Sequence, residues 1–214
     1  MISEPDVTLT DYGLAIECAA FAWLLYRRGR RGDPLRASFI LFFASTGLAA
    51  LTGGTVHGFF PDERGWGTRI LWQTTLLAIG LAALAGWRIG AWIQFSPIVA
   101  RRISLATALQ FAIYGCVILA GTATFAVAIL NYLPAAVFVL VVLAVAYRRT
   151  RRREMLLALG GVALTFVASA VQQTGVGLHP VYFNHNALFH LIQGVALFLI
   201  FWGARRLIGA RAME

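Results

Sequence analysis

Apolar residues fill this chain in long runs, broken by short clusters of arginine, glycine and proline. The clearest runs extend from about Asp11 to Tyr26, Ala37 to His57, Arg69 to Trp87, Met155 to Gln172 and Asn184 to Trp202. They approach the ~20 residues that a helix needs to cross roughly 30 Å of hydrocarbon. Between Ile103 and Tyr147 there is no formal charge, and that stretch is too long for one span. It divides near Gly121-Thr122-Ala123-Thr124 into a fourth and a fifth helix. Pro134 then falls inside the fifth helix, where a membrane span tolerates proline as a kink. Ile89 to Ala100 is only semi-apolar and is expected to lie along the membrane interface. The pattern thus predicts an all-α, polytopic membrane protein, with a single seven-helix domain over residues 1–214. No repeat, low-complexity tract or linker interrupts it.

Composition agrees with this class. Hydrophobic residues make up 59% of the chain and charged residues only 13%, against about a quarter charged in soluble domains. Mean hydropathy is +0.75. All 18 basic residues are arginine. Without lysine the chain cannot form a retinal Schiff base, which excludes a light-driven pump or sensory rhodopsin despite the helix count.

The net charge of +9 raises the question of nucleic acid, but the arginines are not arranged for it. They fall in blocks at Arg27, Arg28, Arg30, Arg31 and Arg36, at Arg88, Arg101 and Arg102, at Arg148, Arg149 and Arg151 to Arg153, and at Arg205, Arg206 and Arg211. These blocks occupy every second connection, as the positive-inside rule requires. The rule puts the C-terminus in the cytoplasm and the N-terminus outside. The partners expected are membrane lipids, including anionic headgroups near the arginines, and not nucleic acid. The N-terminal residues carry Glu4 and Asp6 but no basic n-region, so the first helix is expected to stay as an anchor. The expected location is the bacterial inner membrane. Cys18 and Cys116 lack a CxxC spacing and read as small buried hydrophobes.

Topology gathers the chemistry at one edge. His57 ends the second span, His185 and His190 begin the seventh, and His179 lies in the loop before it. Glu17 is an acid among Ala15, Ile16, Ala19 and Ala20, about two turns, or roughly 10 Å, below Asp11. Ionisable groups at such depth face a cavity or a partner. Asp11 itself reads as an N-terminal cap of the first helix, and Asp62 and Glu63 as solvated turn residues. His185 and His190 are about 140° apart on an ideal helix. A π-bulge, or a start of the regular helix after His185, would bring them together, while His179 could fold back on a loop stiffened by Pro180. Three imidazoles and a water are a zinc arrangement. His57 and His190 form the core of that expectation, with His185 or His179 third. Glu17, Thr52, Thr55, Asn184, Asn186 and Gln193 are candidates for orienting the rings.

These residues resemble motifs of the CREST superfamily of seven-helix membrane proteins, which includes alkaline ceramidases, progestin/adiponectin receptors and haemolysin III-like proteins. Gly53-Gly54-Thr55-Val56-His57-Gly58 is similar to the family's segment at the end of helix 2. Asn186-Ala187-Leu188-Phe189-His190 is similar to the HxxxH pair of helix 7. Asp11-Tyr12 with Glu17 is similar to the acidic start of helix 1 in ceramidases. The resemblance implies a zinc site, with calcium near Asp11 and Glu17. There are departures. Gly53 stands where the family has Ser, Asn186 where it has the first His, and Trp72, Gln73 and Thr74 where its third helix has Asp.

Three functions are therefore expected in order. The first is a zinc-dependent membrane hydrolase acting on a lipid amide or ester, with Glu17 as general base. The second is a non-catalytic metal-, haem- or lipid-binding sensor or accessory protein. The third, a proton-coupled carrier, lacks the paired half-helices or repeats of such folds.

Overall fold

The computed structural model describes residues 2–60, 62, 65–179 and 182–211. They form seven helices: α1 (Pro5–Tyr26), α2 (Pro34–Phe59), α3 (Trp66–Gln94), α4 (Pro97–Leu119), α5 (Phe125–Thr150), α6 (Arg153–Thr174) and α7 (His185–Arg211). All seven are long and apolar enough to cross a membrane, which marks the chain as an integral membrane protein.

Three helices begin earlier than hydropathy alone suggests, and each begins at a proline: Pro5, Pro34 and Pro97. At the first helical position proline loses no hydrogen bond and its fixed φ suits the helix. In α2 the preceding Asp33 also accepts a hydrogen bond from Leu35 N at 3.0 Å. The semi-apolar stretch from Ile89 is not an interfacial segment. It continues α3 to Gln94, with Ile89, Gly90 and Ala91 buried, and α4 starts three residues later. Asp62 is exposed in its turn, as expected, and its carbonyl accepts from Thr68 Oγ1 at 2.5 Å. Pro61, Glu63 and Pro180 lie outside the described residues. Of the two cysteines only Cys18 is buried; Cys116 is exposed on α4.

Six helices close a ring in which α1 packs on α2, α2 on α3, α3 on α5, α5 on α6, α6 on α7 and α7 back on α1. α4 leans on α3 from outside, through Tyr114, whose hydroxyl donates to Leu76 O at 2.8 Å. The ring is filled by one apolar cluster. At its centre Phe21 stacks on Phe201, with centroids 4.2 Å apart, while Phe43 meets Phe21 edge-on at 5.4 Å. Between α2, α3, α5, α6 and α7 the cluster leaves a small apolar cavity lined in part by Tyr132 and Thr165.

Consecutive helices alternate in direction, so the arginine blocks share one end of the bundle. The start of α1, the end of α2 and the start of α7 share the other. The α1–α2 contact is close because glycine lines it. A Cβ on Gly54 would lie 2.6 Å from Asp11 Cβ, and one on Gly47 would lie 2.9 Å from Cys18 Cβ. Small residues permit such approach where no hydrophobic driving force holds helices together.

At the arginine-rich end Arg36 is only 8% exposed. Its guanidinium donates to Leu25 O at 3.0 Å, to Arg28 O at 2.6 Å and to Tyr26 O. Leu25 and Tyr26 close α1 and Arg28 follows them, so a residue of α2 caps the end of α1. Arg36→Met is expected to lower unfolding stability by about 1–3 kcal/mol, since it removes the hydrogen bonds of a buried guanidinium. Arg36→Lys should recover only part of this, because an ammonium lacks the planar fork. Thermal unfolding in micelles measures both.

Candidate acid–histidine site

The site lies at the arginine-poor end and is built mainly by the first turns of α1. Because α1 starts at Pro5, Asp11 is not a cap. It sits in the second turn, 6% exposed, against Gly54 of α2. Its Oδ1 lies 3.2 Å from Nε2 of His190 on α7, and His190 is itself 9% exposed. The other ring nitrogen, Nδ1, is 3.0 Å from Thr10 Oγ1.

The tautomer of His190 decides what lies between it and Asp11. A threonine hydroxyl has one proton. Thr10 can direct its proton to the backbone carbonyls of Asp6 and Val7, at 2.8 and 3.0 Å. If Thr10 instead gives its proton to Nδ1, Nε2–H donates to Asp11; with the proton kept on the carbonyls, Nδ1 donates to Thr10 and the Nε2 lone pair faces an Asp11 oxygen. Two lone pairs at that distance repel unless a cation lies between them. The cation is either a proton on one of the groups or a metal ion.

His57 follows the same pattern. Its Nδ1 lies 3.3 Å from Glu4 Oε1, just before α1. With Nδ1 donating to the carboxylate, Nε2 is left available. The charges of His57 and His190 are near enough to interact, as are those of Glu4 and Asp11. Asp6 secures the neighbouring loop: its Oδ2 accepts from Asn184 N at 3.0 Å. Asn184 in turn caps α7, its Oδ1 accepting from Asn186 N and Ala187 N at 2.9 and 3.1 Å.

The remaining expected residues lie elsewhere. His185 is the first residue of a regular α-helix, with no π-bulge among the described residues, so it stays on a different face from His190. His179 is exposed in its own loop, where Nδ1 accepts from Tyr182 N at 3.1 Å and the ring lies beside Tyr182. Glu17 is half-buried further along α1, its Oε2 3.2 Å from the point a Cβ on Gly194 would occupy. Asp11 and Glu17 thus meet different levels of α7. The side chains expected to orient the rings make other pairs: Thr52 with Thr75, Thr55 with Tyr12, Asn186 with Gln172, and Gln193 with Thr165. Among the described residues no three His, Cys, Asp or Glu side chains stand ready to hold one metal ion.

Sequence reasoning found His57 and His190 but passed over Glu4, Thr10 and Asp11 as their partners. The available signal was Pro5 followed by Asp6, a helix start that carries Thr10 and Asp11 inside the bundle.

Fold and site together define an integral membrane protein of seven apolar helices with a buried acid–histidine pair at one end. The chain belongs to a family of unknown function, DUF6962, whose profile matches residues 7–208. No curated protein and no solved structure matches it.

Proposed function

We propose that the arginine-poor end is a metal-binding site, with zinc as the ion, and that it supports hydrolysis of a lipid amide or ester. The reading rests on the tautomer in which the Nε2 lone pair of His190 faces Asp11 at 3.2 Å, a spacing that admits a cation between them. Adjacent ligands of a tetrahedral zinc ion, with bonds of about 2.0–2.1 Å, stand roughly 3.3 Å apart. Asp11 and His190 have that spacing. Only that pair is in place; His57 would have to move closer to supply a third donor through Nε2.

In that tautomer both histidines have Nδ1 held by an acceptor, Glu4 or Thr10, and carry a lone pair on Nε2, which in His190 faces Asp11. That is how metal-ligating histidines are oriented. A zinc ion there would supply Lewis acidity, which acidifies water and polarises a carbonyl. Glu4 and Thr10 would hold the ring tautomers, and burial of Asp11 and His190 would keep bulk water from the pair. This arrangement, together with seven helices and a histidine ending α2, supports placing the chain as a divergent member beside the CREST superfamily. The arginine distribution supports placing the site on the non-cytoplasmic side, and we propose a bacterial inner membrane as its location.

A second reading is favoured by the same ring. Both nitrogens of His190 already have partners, as suits a proton-bridged lock in a non-catalytic binding protein. Turnover separates the two. Protein reconstituted in vesicles should release fatty acid from an N-acyl amide or an ester, lose this with chelator, and regain it with zinc. Turnover that ignores the chelator, or none on either substrate with zinc bound, would exclude the hydrolase.

A further inference from the structure

Glu17 stands apart from the acid–histidine site and is the least explained charge in the chain. Above it the α1–α7 seam is closed by Asp11 and Thr10 against His190. Below it the seam is closed by Phe21 against Phe198 and Phe201. Between these clamps the α7 wall is Gly194, and the Glu17 carboxylate and Leu14 Cδ2 lean over it, 3.2 and 3.4 Å from where a Cβ would stand. The rim is apolar and outward-facing: Ile16, Leu191, Val195 and Phe198 are 73%, 53%, 56% and 47% exposed. Gly13 belongs to the same rim, and a Cβ there would meet open space, so no packing within the chain requires the glycine.

Among the described residues Glu17 has no hydrogen bond or ion pair. The arginines that follow it cannot provide one. Arg27 is ten residues on, about 15 Å along the helix axis, and lies over Trp23 at 4.8 Å; Arg205 lies over Trp202 at 4.9 Å. A carboxylate on an apolar, outward-facing seam either takes a proton or pairs with a positive charge from outside the chain.

We propose that this notch binds the ammonium head of a single-chain amphiphile. The positive head meets Glu17 over Gly194, and the alkyl chain runs along Ile16, Val195 and Phe198 towards Trp202. Charge complementarity selects a cation over a neutral alcohol. The closed ends of the notch select a small head over a packed helix. This inference does not depend on a metal at Asp11 and His190.

The test titrates full-length protein, in neutral detergent micelles, with dodecylamine and with dodecanol at a pH where the amine is protonated. Wild type should bind the amine at least tenfold more tightly than the alcohol. Glu17→Gln keeps the shape of the side chain and should abolish that preference. Gly194→Val, which fills the notch, should weaken both ligands. Equal binding of amine and alcohol by wild type would overturn the proposal, as would a preference that survives Glu17→Gln. So would a dimer that forms in wild type and dissociates in Glu17→Gln, because a second copy would then occupy the notch.

Discussion

His190→Ala is expected to lower the affinity of the chain for zinc by more than about 100-fold, with helix content unchanged. Removing even a residue that orients a ligand typically costs 10–100-fold in metal affinity, and His190 is proposed as a ligand itself. It also joins α7 to α1 through Asp11 and Thr10. The variant should therefore show some loss of thermal stability as well as the loss of metal. Thr10→Val separates the two effects. It leaves the Nε2 side of the ring intact but removes the acceptor for Nδ1, so zinc affinity should fall by about 10–100-fold. Competition with a chromogenic chelator reads both variants.

Gly54→Leu should be the most destabilising single change at the site. Its Cβ would lie 2.6 Å from Asp11 Cβ, inside any tolerated contact, and the atoms beyond Cβ have nowhere to go. Overpacking of this kind typically costs about 1–3 kcal/mol and sometimes more. Because the clash falls on Asp11, zinc binding should be lost together with stability. The neighbouring glycine is the control. A Cβ on Gly53 would meet only Thr75 Cγ2, at 3.6 Å, an ordinary contact, so Gly53→Ala should be nearly neutral in both thermal unfolding and zinc affinity. If the two substitutions behaved alike, the close α1–α2 approach would not be what positions Asp11.

Much of the fold was legible because apolar length and arginine spacing act locally. The division of the uncharged stretch near Gly121 matches the observed break between α4 and α5, where Gly121 takes a φ of 109°. Helix starts were less legible because hydropathy is blind to proline. Pro5 adds six residues to α1 before Asp11; Thr10, which meets His190, is one of them, and Glu4, which meets His57, immediately precedes them. The site was legible only as a set of residue types. His57 and His190 are brought near each other, but nothing in the spacing shows that Glu4 pairs with one and Asp11 with the other. Those pairings depend on how closely α1 approaches α2 and α7, which is set by glycines far away in sequence. His185 and His179 have the same chemistry as His190, yet helix phase turns one away and a local turn occupies the other.

Elemental analysis of the full-length protein, purified without chelator, tests the cation between Asp11 and His190 most directly. The wild type should carry about one zinc per chain, and Asp11→Asn, which keeps the size of the side chain but not its charge, should carry essentially none. Wild-type protein that is folded and zinc-free after purification with zinc in excess would contradict the metal site and leave a proton as the bridging cation.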